Sequence, residues 1–259
     1  MMKVGIIGYG HVGKAMHNLF KDALIYDKYL NKGSIEEINI NCDVAFICVP
    51  TDENKDGSCD TSIVEEIIKS LKVRLIIIRS TVYVGFTKKM IDKYNKEIVF
   101  QPEYYGETVN HPLTDLRKRE WLSFGGTQEG INLAIKTYQK VMNSNVQILQ
   151  SDPNSAEMAK YMENAFLATK VIFCNEMYDI AKKLGADYNL SREMWAVDSR
   201  IGYSHSFVYE DKRGFDGKCL PKDLASLIYQ AKNNFVDFTL IEAVAKKNNL
   251  YNKKRLNKK

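Results

Sequence analysis

The sequence predicts an α/β fold, in which a doubly wound parallel sheet is followed by an all-α domain with one long helix. Through the first half of the chain, short β-rich runs alternate with helical stretches, an order typical of parallel strands joined by helices. Several of these runs are almost continuously apolar, as strands covered on both faces are. After residue 150 the alternation stops and a long helical segment follows.

Seven runs in the first half have strand character. Val44–Val49 is the clearest, because all six of its residues are apolar. Together the runs predict a first domain over residues 1–150. The predicted strands are Lys3–Gly8, Ala23–Asp27, Asp43–Val49, Arg74–Arg79, Glu97–Gln101, Trp121–Gly125 and Val146–Gln150.

The long helix is predicted from Pro153 to Gly185. Proline suits the first turn and glycine ends a helix, and at about 1.5 Å per residue the helix is roughly 50 Å long. Apolar residues lie around much of its surface, which predicts packing against a second subunit as well as its own domain. We assign residues 151–259 to a helical domain with two further short helices, Asp223–Lys232 and Phe235–Lys247.

Composition and cysteine usage predict a cytoplasmic protein. No apolar run approaches the roughly 20 residues that a membrane span requires, and the chain starts directly with a strand, so neither a membrane partner nor a signal peptide is expected. The five cysteines form no Cys-x-x-Cys pair and no dense scaffold. This pattern favours a reducing compartment and predicts no metal site.

Positive charge is concentrated at the end of the chain. Residues Lys246–Lys259 include seven Lys or Arg and no acid, and removing these seven charges from the net charge of +5 leaves −2. We interpret this segment as a solvated, partly disordered tail and expect no nucleic-acid partner.

A glycine-rich turn follows the first predicted strand and opens a helix. Its three glycines suit a tight turn, close approach of a pyrophosphate, and close packing of helix on strand, and the helix N-terminus favours the anion. Strand, turn and helix in this order predict a Rossmann-like dinucleotide site. Its residues are Gly8, Gly10, His11, Val12 and Gly13.

Asp27 ends the second predicted strand, nineteen residues after Gly8. A carboxylate at this point can accept both hydroxyls of the adenosine ribose, which predicts NAD rather than NADP. Lys28 lies next to it in the predicted site and works against that preference.

Cys219 is the candidate nucleophile. Pro221 predicts the first turn of a helix just after it, and Lys218 and Lys222 are close in sequence. A helix N-terminus and neighbouring cations favour the thiolate. The other cysteines have a structural interpretation, since they lie in apolar runs (Cys48, Cys174) or have no activating neighbours (Cys42, Cys59).

Six segments carry a resemblance to a known family. They are Val49–Thr51, Ser80–Gly85, Gln101–Glu107, Ala156–Ala168, Asp198–Gly202 and Gly214–Asp223. In these segments, which follow one another in the same order along the chain, the sequence resembles the UDP-glucose/GDP-mannose dehydrogenase family. The resemblance implies an oxidoreductase that uses two NAD molecules in turn to oxidise the C6 alcohol of a nucleotide sugar to a carboxylate. The implied intermediates are a thiohemiacetal and a thioester on the cysteine.

The resemblance also implies catalytic roles. Cys219 matches the nucleophile, Lys160 and Asn164 match the residues that stabilise the oxyanion, and Asp223 matches the carboxylate that positions the hydrolytic water. Independently, a spacing of four places Lys160 and Asn164 on one helix face. Each residue apart from Cys219 also has an ordinary structural interpretation, but the proposed reaction requires all of them together.

Further residues are assigned by the same resemblance. Glu103 matches the acid–base residue of thioester hydrolysis, and Thr81 and Glu107 match positions that line the nicotinamide and the water site. The remaining predicted cofactor contacts are Pro50, Thr51 and Ser80. The predicted substrate contacts are Glu103, Lys160, Asn164, Arg200, Phe215 and Gly217.

Arg200 matches an arginine that reaches the substrate of the neighbouring subunit, which implies a homodimer formed through the long helix. The family continues beyond this point into a second α/β domain, whereas this sequence ends at Lys259. The cysteine loop also departs from the family at Asp216 and Lys218. A UDP-sugar is the expected substrate, and oxidation of UDP-glucose to UDP-glucuronate is favoured as the commonest case in the family, with UDP-N-acetylhexosamines or GDP-mannose as alternatives.

Two other functions remain open from the sequence. One is an NAD-binding module that depends on a partner for substrate binding. The other is a two-electron dehydrogenase of the β-hydroxyacid type, which shares the cofactor domain and the long helix but needs no nucleophilic cysteine. If the favoured function holds, the product is a sugar nucleotide of the kind used in polysaccharide biosynthesis.

Overall fold

The computed structural model describes residues 2–104 and 115–256. The chain divides into two compact units. Met1–Asp52 and Cys59–Lys160 make up the first unit, and Glu53–Ser58 and Tyr161–Lys259 make up the second. None of the helices in the described ranges combines the length and apolar character required to cross a membrane.

The first unit contains a seven-stranded sheet with the order β2-β1-β3-β4-β5-β6-β7. Strands β1 to β5 are parallel, which confirms the predicted doubly wound sheet, whereas β6 pairs antiparallel with β5 and parallel with β7. All seven predicted strands are present. They are β1 (Val4–Ile7), β2 (Leu24–Tyr26), β3 (Val44–Ile47), β4 (Leu75–Ile78), β5 (Ile98–Phe100), β6 (Trp121–Gly125) and β7 (Gln147–Ser151).

Alternating side chains of the central strands enter two hydrophobic cores. In β3, Val44 and Phe46 belong to one core, and Ala45 and Ile47 belong to the other. Because both faces are covered, the strand is apolar throughout. The helices of this unit are α1 (His11–Leu19), α2 (Ile35–Asn41), α3 (Ser62–Ser70), α4 (Phe86–Tyr94) and α5 (Gln128–Tyr138), with a 3-10 helix at Leu116–Lys118.

The strand order places a switch point at β1. From β1 the chain continues to β2 on one side of the sheet, and β3 lies on the other side. In open α/β sheets, ligands bind in the crevice outside the carboxyl ends of the strands at such a point. The loops after β1 and β3 are therefore the expected cofactor loops.

The predicted long helix is confirmed as α6 (Pro153–Leu184), 32 residues long. It is followed by α7 (Tyr188–Ala196), a helix that was not predicted from the sequence, and by α8 (Cys219–Asn233) and α9 (Thr239–Leu256). The predicted bounds of the last two helices were wrong, because α8 begins four residues earlier and α9 continues into the basic segment. The prediction of a partly disordered tail was also wrong as far as Leu256, because the chain is helical up to that residue. Burial of Val244 and Tyr251 on α9 accounts for this extension.

Candidate active site

The glycine-rich turn has the geometry that a bound pyrophosphate requires. Gly8 has φ +89°, and a Cβ there would lie 2.6 Å from the carbonyl oxygen of Cys48. A Cβ on Gly13 would lie 1.9 Å from the carbonyl oxygen of Gly8, whereas a Cβ on Gly10 would meet nothing within 4 Å. The outer two glycines thus permit close packing. Gly10 leaves space beside the start of α1 at the exposed His11, so the turn fits a dinucleotide.

Asp27 is oriented by three backbone N–H groups. Its Oδ2 accepts from Tyr9 at 2.7 Å, and its Oδ1 accepts from Tyr29 at 2.9 Å and Leu30 at 3.0 Å. Partial burial acts to raise the pKa of this carboxyl, but the three hydrogen bonds outweigh it and lower the pKa. Asp27 is therefore held as an oriented anion with lone pairs left for ribose hydroxyls, beside the exposed Lys28.

The ends of β3 and β4 are joined by side-chain hydrogen bonds. The Thr51 hydroxyl donates to the carbonyl of Thr81 at 2.7 Å, and the Ser80 hydroxyl donates to the carbonyl of Val49 at 2.7 Å. The predicted cofactor residues of these two loops therefore lie together, with Pro50 exposed among them. Glu107, also predicted to line this site, lies outside the described residues.

Glu103 follows β5 and is enclosed by two arginines. Its Oε2 accepts from Arg79 and its Oε1 accepts from Arg119 at 2.6 Å, with all three side chains at least 90% buried. Burial acts to lower the pKa of Arg79, but the charge of Glu103 outweighs it and raises that pKa. Arg79 also donates to the carbonyls of Gln101 and Pro102, each at 3.2 Å. It thereby fixes the loop that carries Glu103.

Neither arginine was predicted as a site residue from the sequence. A signal for Arg79 was present, because it directly follows the four buried residues of β4. A cation at the end of a buried strand requires a partner, and a carboxylate is the usual one. Nothing comparable in the sequence indicated Arg119, which contacts Glu103 through the tertiary fold.

Glu157 on α6 caps the N-terminus of α4. Its Oε2 accepts from the N–H of Gly85 at 2.6 Å and its Oε1 accepts from the N–H of Thr87 at 2.8 Å. Burial raises the pKa of this carboxyl to about 7, although hydrogen bonds from Thr87 and Gly85 act to lower it. The cap therefore titrates near neutral pH.

We expect this cap to make stability depend on pH. Because the pKa is raised from 4.5 to about 7 on folding, the contribution of Glu157 is fully present below pH 4.5 and is lost as the pH rises through 7. The loss amounts to about 3 kcal/mol. Urea unfolding of wild type and Glu157→Gln at pH 5, 6, 7 and 8 measures it, and the difference between the two proteins should change across this range. Glu129→Gln is the matched control, since Glu129 is an exposed glutamate in the first turn of α5. A pH-independent difference for Glu157→Gln would contradict the prediction.

Lys160 also lies on α6, and only 9% of it is exposed. Its ammonium group lies 5.2 Å from the centre of the Tyr104 ring, within the range of a cation–π contact. Asn164 is one helical turn further along the same helix. The two predicted oxyanion residues thus occupy successive turns of α6.

In the second unit, α6 and α8 meet through buried polar contacts. The Asn164 amide donates to Oδ2 of Asp223 at 2.5 Å, and Lys222 donates to Oδ1 of Asp223 at 2.7 Å. The hydroxyls of Tyr161 and Ser226 are 2.9 Å apart. Asp223 is only 2% exposed, so its charge is matched by an amide and a cation in a dry environment. Two of the predicted catalytic residues are in direct contact.

Cys219 is the first residue of α8 and is exposed. Asp223 lies one turn further along that helix, so residues 219 and 223 share a helix face, and the Asn164–Asp223 contact is one helical turn from Cys219. All five cysteines lie in the described part of the chain, and none forms a disulfide. Burial raises the pKa of Cys48 to about 12 and that of Cys42 to about 11, which makes both thiols poor nucleophiles.

The remaining predicted substrate residues differ in their surroundings. Arg200 has a side chain that is 86% exposed and pairs with Asp198 at 2.6 Å. Gly217 has φ +88° and open space around its α-carbon, whereas Phe215 is 7% exposed. Phe215 therefore offers a ligand little of its side chain.

Two domains of one family match this chain. Residues 14–142 match the NAD binding domain and residues 154–250 match the central domain of the UDP-glucose/GDP-mannose dehydrogenases. The chain belongs to the UDP-glucose/GDP-mannose dehydrogenase family. The predicted family and the predicted NAD cofactor are thereby confirmed.

Curated relatives within the family are longer than this chain. A UDP-glucose 6-dehydrogenase from Rickettsia bellii is 31% identical over 242 residues, which cover 88% of this chain and 54% of the relative. The UDP-glucose 6-dehydrogenase TuaD from Bacillus subtilis is 32% identical over 220 residues, which cover 80% of this chain and 46% of the relative. The chain thus spans about half the length of these proteins.

Solved structures agree with the fold. A UDP-glucose dehydrogenase from Pyrobaculum islandicum superimposes with a TM-score of 0.81 at 25% identity, covering 96% of this chain and 68% of that one. A UDP-D-ManNAc dehydrogenase from Pyrococcus horikoshii superimposes with a TM-score of 0.79 at 23% identity, with the same coverage. The similarity to the second structure concerns the fold alone.

Proposed function

We propose that this protein oxidises the C6 alcohol of a UDP-sugar to a carboxylate in two NAD-dependent steps, with Cys219 as the covalent nucleophile. The observation that carries the proposal is the buried Asn164–Asp223 contact one helical turn from the exposed thiol of Cys219. We assign residues 1–150 to NAD binding and residues 151–259 to catalysis and dimerisation. We place the enzyme in the reducing cytoplasm, where a catalytic thiol is protected from oxidation.

The proposed reaction has four chemical stages, namely a first oxidation, addition of the thiolate, a second oxidation and hydrolysis. NAD, when bound at the glycine-rich turn, supplies the hydride acceptor for both oxidations. The Cys219 thiolate adds to the aldehyde carbon formed by the first oxidation, which gives a thiohemiacetal. The second oxidation gives a thioester, and attack by water on that carbon releases the carboxylate and regenerates the thiol.

The neighbouring side chains stabilise charge in these stages. Lys160 and Asn164 donate to the oxyanion that forms on the substrate carbon. Asp223 positions the hydrolytic water, since its carboxylate is already fixed by Asn164 and Lys222. Glu103 is the proposed acid–base residue, and Thr81 lines the nicotinamide.

UDP-glucose is the proposed substrate, because the curated relatives in Rickettsia bellii and Bacillus subtilis are named for it. The experiment is to incubate the purified chain with NAD and UDP-glucose and to measure NADH formed per sugar consumed. Two NADH per sugar supports the proposal. UDP-N-acetylhexosamines and GDP-mannose are tested in parallel. Turnover of one of these in place of UDP-glucose would change the proposed substrate but would leave the proposed reaction unchanged.

The match to the NAD binding domain favours one second candidate. Because residues 14–142 match that domain, an NAD-binding module that needs a partner for substrate binding is the alternative. No NADH from any of the sugar nucleotides, together with normal NAD binding by calorimetry, would favour this module. If the protein is instead a two-electron β-hydroxyacid dehydrogenase, Cys219→Ser should leave turnover unchanged.

We expect Asp27 to determine the choice between NAD and NADP. Its carboxylate is ionised and oriented by three N–H groups, so it repels a 2′-phosphate and accepts ribose hydroxyls. Asp27→Asn should lower the preference for NAD, measured as the Kd for NADP divided by the Kd for NAD, by at least about tenfold, which corresponds to roughly 1.4 kcal/mol. Kd values are measured by calorimetry. Asp22→Asn, in the loop before β2, is the control, and an unchanged ratio in Asp27→Asn would refute the role.

We propose that the second unit forms a homodimer through α6. Six large apolar side chains are exposed on the part of this helix that belongs to the second unit, and their spacings of 4, 7, 4, 3 and 4 residues place them on one face. An exposed stripe of this length is typical of a protein–protein interface. The residues of this stripe are Met162, Phe166, Phe173, Met177, Ile180 and Leu184.

Phe166→Glu should convert the dimer to a monomer. A carboxylate buried without a partner in an apolar interface costs several kcal/mol, and Phe166 is 65% exposed in the single chain. Light scattering coupled to size-exclusion chromatography gives the mass of each variant. Lys183→Glu introduces the same charge at an exposed polar position of α6 and should remain dimeric. A wild type that is monomeric at micromolar concentration would contradict the proposal.

A further inference from the structure

An asparagine on α9 holds the backbone of the loop that leads into Cys219. The Oδ1 of Asn248 accepts from the N–H of Phe215 at 2.8 Å, and its Nδ2 donates to the carbonyl of Phe215 at 3.0 Å. Asn248 is only 3% exposed. One amide therefore satisfies both polar groups of one peptide residue in a dry environment, where an unsatisfied group is costly.

A second asparagine, on α6, holds the preceding residues. The Oδ1 of Asn175 accepts from the N–H of Gly214 at 3.2 Å and from Nε of Arg213 at 2.6 Å. Arg213 also donates through Nη2 to the carbonyl of Asn175 at 2.7 Å and pairs with Asp179 at 2.9 Å. The loop is thus fixed to two helices at consecutive residues.

Close approach of Asn248 depends on glycine at position 214. Gly214 has φ +75°, and a Cβ there would lie 2.5 Å from Oδ1 of Asn248. Any other residue would displace the amide from the loop. The Asn248 contact is therefore a close fit and not an incidental surface contact.

Cys219 lies midway between two fixed points. Phe215, held by Asn248, is four residues before it, and Asp223, held by Asn164, is four residues after it. Asp223 and Asn164 already have proposed catalytic roles, but Asn248 has none. A thiol that must meet one carbon of a bound sugar needs its backbone fixed on both sides, because a displacement of about 1 Å can cost 100-fold in rate.

We propose that Asn248, supported by Asn175, is a positioning residue that sets the placement of the Cys219 thiol at the N-terminus of α8. The inference rests on the proposed function in its claim about catalysis. Its claim about the thiol is independent of that function. The two claims can therefore be tested by separate measurements on the same variants.

The experiment compares Asn248→Asp with Asn249→Ala in the full chain. Aspartate keeps an acceptor for the N–H of Phe215 but replaces the donor with a second acceptor that faces its carbonyl. Asn249 is the adjacent residue of α9 and is exposed, so it is the matched control. Alkylation of Cys219 by iodoacetamide is followed from pH 5 to pH 10 by mass spectrometry of its peptide, and unfolding temperatures are recorded for each variant.

In Asn248→Asp, the pH of half-maximal alkylation should rise by about half a unit as the thiol loses its alignment with the helix N-terminus. Asn249→Ala should match wild type. The kcat should fall at least about tenfold in Asn248→Asp, with the KM for NAD unchanged. Asn248→Ser is measured as well and stands in for Asn248→Asp if that variant does not fold.

An alkylation profile equal to wild type in a folded Asn248 variant would overturn the proposal, whatever its unfolding temperature. A wild type with no dehydrogenase activity would remove the proposed function but would leave the alkylation test intact. A shifted profile in that case would still support the positioning of the thiol.

Discussion

Cys219→Ala should abolish the second oxidation, with a fall in the rate of carboxylate formation of at least about 10³-fold, a size typical of the loss of a catalytic nucleophile. The reason is that the proposed second oxidation needs a carbon held on sulfur, and an alanine leaves the aldehyde free to escape. The measurement is NADH formed per UDP-glucose consumed, together with the rate. NAD binding by calorimetry should be unchanged, because Cys219 lies outside the residues that match the NAD binding domain.

The control for this variant is Cys42→Ser. Cys42 is half-buried and burial raises its pKa to about 11, so removal of its thiol should leave turnover within about twofold. A Cys219→Ala protein that still forms two NADH per sugar would refute covalent catalysis. One NADH per sugar in both wild type and the variant would favour the two-electron dehydrogenase.

Glu103→Ala should destabilise the protein by about 3–5 kcal/mol. It removes the carboxylate between Arg79 and Arg119 and leaves two buried cations without their partner, and breaking a buried pair in this way costs that amount. Urea unfolding at pH 7 measures the loss. Glu97→Ala is the control, since Glu97 accepts from the neutral hydroxyl of Thr127, and it should cost about 1–2 kcal/mol.

Glu103→Gln separates stability from catalysis at the same position. The amide keeps the volume and one acceptor for an arginine, so it should cost less stability than alanine, while its kcat should fall about 100-fold if Glu103 transfers a proton. Wild-type kcat in a folded Glu103→Gln protein would show that the carboxylate only fixes the loop after β5. Raising the pH to 9 should not restore activity in Glu103→Ala or in Glu103→Gln.

Much of the fold could be predicted from local patterns. The apolar runs that become β3 and β4 are buried on both faces, and a strand in that environment needs no tertiary information to be recognised. Proline and glycine placed the start and end of α6 for the same local reason. The end of α9 could not be predicted in this way, because burial of Tyr251 against the rest of the second unit, and not helix propensity, extends the helix.

The sequence by itself determined the family, the NAD cofactor and the candidate nucleophile, because glycine spacing and the surroundings of Cys219 are local along the chain. Only the tertiary structure revealed what holds these groups. Arg119 reaches Glu103, Asn164 reaches Asp223 and Asn248 reaches Phe215 across 16, 59 and 33 residues of sequence. Hydrogen bonds between buried polar groups are decided by which elements pack together, and no local pattern carries that information.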